Sequence, residues 1–195
     1  MIRGDSPEVD LLIKWAKDFD CQGYYSCEIG VREGLGSKTI IDNVKNNYLH
    51  IGVDPYGDRE YQHFDNDKDI KWTGGERGKP PKYPDSMRDQ MILDFQDYTK
   101  RGLFHFANMT DTEFMQHNVY PGLKYAFVFL DGPHMTKDVL TEAIFFASRS
   151  PKKARIIFDD YMHYQMPLIE ECLTYYGFKM LERGKSKMCL EKNGD

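Results

Sequence analysis

Apolar residues recur along the chain with two spacings, and the order of these spacings predicts an α/β fold. Runs rich in β-branched and aromatic residues predict five strands, at 24–31, 48–53, 103–107, 124–130 and 154–158. Apolar residues three and four positions apart predict helices, which begin after Ser6, at Ser37, after Ser86, at Asp111, after His134 and near Gln165. Two more strands, 178–182 and 187–191, are predicted as a terminal hairpin with a turn at 183–185.

A long polar segment interrupts this alternation. Residues 56–83 are charged, rich in Gly and Pro, and without a sustained period, and long irregular segments in compact domains are usually functional or disordered. We therefore predict one domain, residues 1–195, with an insertion at about 56–101 that covers the site and selects the substrate. A mobile surface segment is the alternative. The candidates for lining an acceptor pocket are Tyr56, Tyr61, His63, Phe64, Trp72 and Tyr83.

The stretch 24–41 predicts a strand, a glycine-rich turn and a helix. Gly30, Gly34 and Gly36 follow the strand, and such a turn lets a ligand approach the backbone and the first N–H groups of the helix. The spacing GxxxGxG differs from the GxGxxG of dinucleotide binders. Glu28, just before the first glycine, would repel a pyrophosphate and suit a cationic ligand. Alternatively, Glu28 is a surface acid beside an ordinary turn.

Another acid follows the second predicted strand. Asp54 lies 24 residues after Gly30, close to the distance at which an acid binds a ribose in open α/β folds. A carboxylate can accept hydrogen bonds from both ribose hydroxyl groups. Asp54-Pro55 is also typical of a simple turn, but the spacing relative to Glu28 favours the ribose role.

Acids also follow the fourth and fifth predicted strands. Asp131 ends one strand, and Asp159 and Asp160 end the next. Clustered carboxylates repel one another unless they are protonated or bridged by a cation, and oxygen ligands suit Mg²⁺, Mn²⁺ or Ca²⁺. We predict that Asp131, Asp159 and Asp160 bind a divalent metal, which would chelate two neighbouring hydroxyl groups of an acceptor. Alternatively, Asp159 and Asp160 cap the helix near Gln165.

Two histidines lie close to these acids in the sequence. His134 is three residues after Asp131, and the ordinary pKa of imidazole, about 6.5, suits a general base. We predict His134 and Asp131 as catalytic residues, with His163 as a second candidate for the base. An isolated histidine is, however, more often an ordinary polar residue.

Composition narrows the classes of function. The formal net charge of −5 disfavours a nucleic-acid partner, which usually requires a basic face. The four cysteines form no CxxC pair and no zinc-like spacing, so we expect reduced thiols in a cytoplasmic compartment. The sequence has no secretory signal pattern and no apolar run near the roughly 20 residues of a membrane span, so we expect no membrane partner.

Four motifs occur in order, each at the end of a predicted strand: EIGVREG, VDPYGD, FLDGPH and IIFDDY. They resemble the O-methyltransferase branch of the class I S-adenosylmethionine (SAM) methyltransferases. The most similar patterns are those of macrocin-type sugar O-methyltransferases and of small-molecule methyltransferases with a DGxH element. The resemblance covers most of residues 24–192 apart from the insertion. It implies a Rossmann-like fold with helices on both faces of a seven-stranded, mostly parallel sheet whose last strand is antiparallel.

The resemblance also implies roles for single residues. Glu28 would approach the methionine ammonium group of SAM, and Asp54 would hold the ribose. Asn108 and Met109 would contact the adenine. The full set of implied cofactor-binding residues is Glu28, Gly30, Gly34, Ser37, Asp54, Asn108, Met109 and Asp131. Two positions depart from the family pattern: Pro133 stands where the sugar methyltransferases carry an acid, and Gly36 stands where a serine is common.

Together these observations predict a SAM-dependent, metal-assisted O-methyltransferase acting on a small hydroxylated molecule such as a sugar or catechol. The alternatives are a non-catalytic binding module with the same fold and, less favoured, an NAD-dependent oxidoreductase. Met and aromatic residues of the insertion could also form an interface between two copies of the chain.

Overall fold

The computed structural model of the chain describes residues 7–57, 60–65, 71–72, 83–117 and 122–194. Its elements, in chain order, are α1 (Val9–Lys17), β1 (Tyr25–Ile29), α2 (Leu35–Asn43), β2 (His50–Val53), β3 (Glu60–Tyr61), β4 (Lys71–Trp72), α3 (Asp85–Asp94), α4 (Gln96–Lys100), β5 (Phe104–Ala107), α5 (Asp111–Gln116), β6 (Tyr125–Leu130), α6 (Thr136–Ala147), β7 (Arg155–Phe158), a 3₁₀ turn (Tyr161–His163), α7 (Met166–Thr174), β8 (Phe178–Arg183) and β9 (Met188–Lys192).

Seven strands form one sheet in the order β5-β2-β1-β6-β7-β9-β8. The five strands from β5 to β7 pair in parallel, and β9 runs antiparallel between β7 and β8. The predicted mostly parallel sheet with an antiparallel terminal hairpin is therefore confirmed. Because the strand order reverses between β1 and β6, a crevice is expected at the carboxyl ends of these two strands.

Apolar side chains cover the sheet on both faces. On one face, Leu12 and Trp15 of α1 and Ile40 of α2 form a buried cluster with Phe127 and Phe129 of β6. The other face carries a larger cluster that includes residues of α6, α7 and alternate positions of β6 and β7. Alternate residues of β6 therefore face opposite layers of helices, which explains the continuous apolar run at 125–130.

The insertion contains more regular structure than its sequence indicated. β3 and β4 form a separate antiparallel pair, and the helix predicted after Ser86 is two short helices, α3 and α4. The backbone N–H of Gly57 donates to the carbonyl of Tyr83 at 3.0 Å, so the two ends of the polar segment 56–83 meet. The rings of Tyr61 and Trp72, and the predicted cap Ser6, lie outside the described residues. Among the helices of the described chain, none has the length and apolar character of a membrane span.

Candidate functional site

A cleft of about 840 Å³, including its open mouth, lies at the carboxyl ends of β1, β2 and β6. Residues 29–30, 53–55 and 131–133 line it from the strand ends, and Thr110 and Asp111 line it from the start of α5. Arg32, His63 and Tyr83 complete the wall.

Glu28 is buried beneath this cleft, with 1% of its surface exposed, so the alternative of a surface acid is wrong. The hydroxyl of Ser37 donates to Glu28 Oε2, and a Cβ on Gly36 would lie 1.9 Å from Oε1. The carboxyl group therefore occupies the N-terminal turn of α2, where Gly36 leaves space for it. Burial raises the pKa of Glu28 to about 8, against the hydrogen bonds from Ser37.

A row of buried polar side chains continues behind Glu28. His50 Nε2 lies 3.0 Å from Ser37 Oγ, and His50 Nδ1 lies 2.8 Å from Ser26 Oγ. Asn47 Nδ2 donates to Ser26 Oγ at 2.8 Å. Burial lowers the pKa of His50 to about 3, so its imidazole is neutral at neutral pH. The sequence analysis missed this row; its only signal was a histidine at the start of an otherwise apolar strand.

Asp54 lies in the wall of the cleft at the end of β2. It is 6% exposed, and its Oδ2 accepts a hydrogen bond of 2.9 Å from the backbone N–H of Arg32. Burial raises the pKa of Asp54 to about 6, and backbone N–H groups of Arg32 and Val31 act in the opposite direction. The position agrees with the predicted site edge, and the ribose role stays a prediction.

The glycines of the turn mainly allow other residues of the protein to pack closely against the turn. Gly30 has a φ of +90°, and a Cβ there would lie 2.1 Å from the carbonyl oxygen of Asp131. The absence of a side chain thus lets the ends of β1 and β6 approach each other at the cleft. At Gly34, a Cβ would lie 2.4 Å from the ring of Phe95. Of these glycines, Gly30 is the one in the described wall of the cleft.

The acids that follow β6 and β7 are arranged differently from the predicted metal site. Asp159 forms an ion pair of 2.5 Å with Lys187, whose side chain is fully buried. Within the described ranges, no three His, Cys, Asp or Glu side chains are placed to hold a metal ion. The predicted triad of Asp131, Asp159 and Asp160 therefore does not fit a metal, since an ammonium group already neutralises one member.

The capping alternative for these acids is also wrong. Asp159 Oδ1 accepts from the backbone N–H of Asp160 at 3.1 Å, and no side chain caps α7. The backbone N–H of Gln165, which precedes this helix, instead donates to Thr136 Oγ1 at 2.9 Å.

Asp131 lies in the wall of the cleft, and burial together with Asp159 raises its pKa well above the ordinary range.

His134 lies beside these acids but behind the wall of the cleft. Its Nε2 is 3.4 Å from Asp160 Oδ2 and 4.0 Å from Asp131 Oδ1. The side chain is almost fully buried, because His63 and Phe64 of the insertion pack against it, and the His134 backbone N–H donates to the His63 carbonyl at 2.8 Å. Burial, followed by the neighbouring His63 and His163, lowers the pKa of His134 to about 3.

The insertion supplies the histidine that faces the cleft. His63 lines the wall, and its ring centroid is 4.8 Å from that of His134. Phe64 separates His134 from His163, at centroid distances of 5.7 and 4.9 Å. Two of the predicted acceptor-pocket residues, His63 and Tyr83, are thus in the cleft wall.

At the opposite end of the cleft, the residues that line the wall come two positions later in the chain than the predicted Asn108 and Met109. Asn108 is exposed and Met109 packs against the core, whereas the described wall contains Thr110 and Asp111. Thr110 caps α5 and forms a capping box with Glu113, which is the ordinary helix-cap chemistry of this residue type.

Glu142 of α6 is a further acid that the sequence analysis missed. It is fully buried, and neither carboxyl oxygen has a hydrogen bond of normal geometry among the described residues. It lies close enough to Asp111 for each group to act on the pKa of the other. Burial, followed by the neighbouring Asp111, raises the pKa of Glu142 well above its ordinary range.

No protein-family model and no curated protein sequence matches the chain. Solved structures do match its fold. The O-methyltransferase TomG from Streptomyces achromogenes, in complex with SAM, has a TM-score of 0.57 at 11% identity, covering 99% of this chain and 82% of its own. An O-methyltransferase from Bacillus cereus, in complex with S-adenosylhomocysteine (SAH), has a TM-score of 0.57 at 10% identity, covering 97% and 83%.

A putative rRNA methylase from Clostridium thermocellum is also similar, with a TM-score of 0.62 at 9% identity and 99% of each chain covered. These structures share their architecture with this chain. The chain thus has the Rossmann-like fold found in SAM-dependent methyltransferases.

Proposed function

We propose that the protein is a SAM-dependent methyltransferase that methylates a hydroxyl group of a small molecule. The observation that carries the proposal is the carboxyl group of Glu28 at the N-terminal turn of α2. In dinucleotide-binding folds, this turn faces a pyrophosphate. A carboxylate in that position opposes a phosphate ligand and favours a cationic one, which argues against the NAD-dependent alternative.

The residues of the cleft fit a sulfonium nucleoside. Asp54, in the wall, can accept hydrogen bonds from two ribose hydroxyl groups. Glu28 lies below and supplies negative charge when ionised, and Asp111 offers an acceptor at the other end for a base amino group. Bound SAM would supply an activated methyl group, so the protein has to align the acceptor and receive its proton.

The acceptor side is formed by Asp131, Gly132 and His63. His134 was predicted as the proton acceptor, but its lowered pKa makes it a weak base at neutral pH in the absence of a ligand. It lies behind His63, whose imidazole is in the cleft wall and is therefore nearer to an acceptor in the cleft. Lys187 already neutralises Asp159, so we assign no step to a divalent metal.

Titration calorimetry of the native protein with SAM, SAH and NADH tests the cofactor assignment. We expect binding of SAM and SAH and none of NADH. Absence of SAM binding, or binding of NADH alone, would contradict the proposal.

A second assay separates the acceptor classes. SAH production is measured with panels of sugars, catechols and structured RNA, each with and without a chelator. We expect turnover with a small hydroxylated compound that persists in the chelator. Turnover on RNA alone would identify a different acceptor class, and tight SAM binding with no turnover would favour the non-catalytic binding module.

A further inference from the structure

Five polar side chains form a continuous row from the cleft toward the amino ends of the strands: Glu28, Ser37, His50, Ser26 and Asn47. The first four are at most 1% exposed. Each neighbouring pair is joined by a hydrogen-bond contact. The parallel register of β1 and β2 produces this alignment, because Ser26 pairs with His50 and Glu28 points to the same face of the sheet as Ser26.

When Glu28 is ionised, the hydrogen bonds of the row can run in only one direction from donor to acceptor. A carboxylate only accepts hydrogen bonds, so the Ser37 hydroxyl donates to Glu28, and Ser37 Oγ accepts from His50 Nε2–H. His50 Nδ1 then accepts from Ser26, whose oxygen accepts from Asn47 Nδ2. All four hydrogen bonds point toward Glu28, and the amide of Asn47 has the orientation that this arrangement requires.

The same five groups can also form hydrogen bonds with one another in the reverse direction. A protonated Glu28 donates to Ser37, Ser37 donates to His50 Nε2, and His50 Nδ1–H donates to Ser26. Ser26 would then donate to Asn47 Oδ1 after the amide turns over. This oxygen is buried and has no hydrogen-bond partner among the described residues, so the reverse arrangement would give it one.

We propose that this row is a proton wire in which His50 is a positioning residue that keeps Glu28 hydrogen-bonded both as a carboxyl and as a carboxylate. The inference rests on the proposed function, because the positive sulfonium of SAM would favour the carboxylate. SAH lacks this charge and would favour it less.

The proton balance follows from the geometry. The Glu28 proton passes to Ser37 Oγ, and the former Ser37 proton passes to His50 Nε2. The His50 Nδ1 proton passes to Ser26 Oγ, and the former Ser26 proton leaves to water beside Asn47. Ser37, His50 and Ser26 each gain one proton and lose one, so the net changes are an ionised Glu28, one proton released to water, a His50 ring proton moved from Nδ1 to Nε2, and an Asn47 amide turned back to donate to Ser26.

Other groups also affect the pKa of Glu28, and their effects have to be distinguished from that of the wire. Asp54 raises the pKa of Glu28 and Lys187 lowers it. Glu28 in turn raises the pKa of Cys27, Tyr56 and Asp131. His50 faces the ring of Phe104, stacked at a centroid distance of 6.0 Å, and burial alone shifts its pKa. Asp54 is therefore the acid that most needs a control.

Calorimetry in buffers of different ionisation enthalpy measures the protons released on binding. At neutral pH we expect SAM to release more protons per site than SAH, because both ligands carry the α-ammonium group and only SAM adds a sulfonium charge. The difference should vanish in Glu28→Gln and persist in Asp54→Asn. Equal release for the two ligands, or a difference that survives in Glu28→Gln, would overturn the wire.

Nitrogen-15 NMR of His50 in the free protein tests the wire without any ligand. Between about pH 5 and about pH 9, we expect the ring proton to move from Nδ1 to Nε2 as Glu28 ionises. Ser37→Ala should abolish this change and Ser37→Thr, which keeps the hydroxyl group, should retain it. Glu28→Gln, which does not titrate, provides a second test should Ser37→Ala fail to fold.

A His50 tautomer that is independent of pH in the native protein would overturn the wire. So would a tautomer change that persists in Glu28→Gln. These results are distinguishable from failure of the proposed function, because a native protein that does not bind SAM would still give the NMR titration.

Discussion

The two halves of the cleft rim hold their acids by different means. At the ends of β1 and β2, Glu28 and Asp54 accept hydrogen bonds from neutral groups, a hydroxyl group and backbone N–H groups. At the end of β7, Asp159 is paired with the buried ammonium of Lys187. When they are ionised, the acids of the first half therefore carry charge that their neutral donors do not cancel, whereas the second half neutralises part of its charge within the protein.

This difference locates the cationic part of a ligand. Neutral donors stabilise a carboxylate without cancelling its charge, so a sulfonium gains most from the Glu28 half. Among the groups that shift the pKa of Asp54, the guanidinium of Arg32 has the smallest effect. In the second half, the ammonium group of Lys187 neutralises a carboxylate, which is the role predicted for a metal ion. The remaining functional groups there are Asp131 and the histidines.

Removal of the internal cation should have the largest effect on stability. In Lys187→Met, Asp159 would be left as a buried acid without its partner, and breaking such a pair typically costs about 3–5 kcal/mol. We expect the free energy of unfolding in urea to fall by about this amount. Asp159→Asn combined with Lys187→Met removes both charges and should recover part of the loss; a double variant no more stable than Lys187→Met would contradict the pairing argument.

Removal of an acid from the first half should act mainly on binding. Asp54→Ala removes the acceptor for two ribose hydroxyl groups, and hydrogen bonds to charged groups contribute about 1.5–3 kcal/mol each. We expect the Kd for SAM to rise about 100-fold or more. Calorimetry measures this change, and circular dichroism checks the fold. Asp54→Asn, which keeps one acceptor oxygen, should lose less affinity; equal affinity of Asp54→Ala and the native protein would exclude the ribose role.

The sheet could be predicted from the sequence because its signals are local. The apolar runs at 124–130 and 154–158 identify strands directly, and each acid at a strand end follows its strand without a gap. Since parallel strands place their carboxyl ends at one edge, the sequence also predicted that Asp54 and Asp131 would lie at one cleft. Both residues lie in the wall of the cleft, and their roles toward a ligand stay predictions.

The partners of the acids could not be predicted in the same way. Lys187 meets Asp159 only because β9 inserts beside β7, and His50 meets Ser37 only because α2 packs over β1 and β2. Neither lysine nor histidine has a local pattern that indicates such a contact. The position of His63 over His134 likewise depends on how the insertion folds back, which no sequence period encodes.

The smallest of the three effects should follow from filling the space that Glu28 occupies. Gly36→Ala would place a Cβ 1.9 Å from Glu28 Oε1 and 3.0 Å from the ring of Phe129. Alanine is otherwise favoured over glycine in a helix by about 1 kcal/mol, so a net loss reports the overlap. We expect the free energy of unfolding to fall by about 1–3 kcal/mol, together with weaker SAM binding, measured by urea unfolding and calorimetry.

The control for this prediction removes the group that the new methyl would meet. Glu28→Ala combined with Gly36→Ala leaves room at the N-terminal turn of α2, so stability should recover relative to Gly36→Ala while SAM binding stays weak. That split would assign the stability loss to packing and the binding loss to the missing charge. If Gly36→Ala alone were as stable as the native protein and bound SAM equally well, the carboxyl group would not be held at this turn, and the contrast between the two halves of the rim would lose its basis.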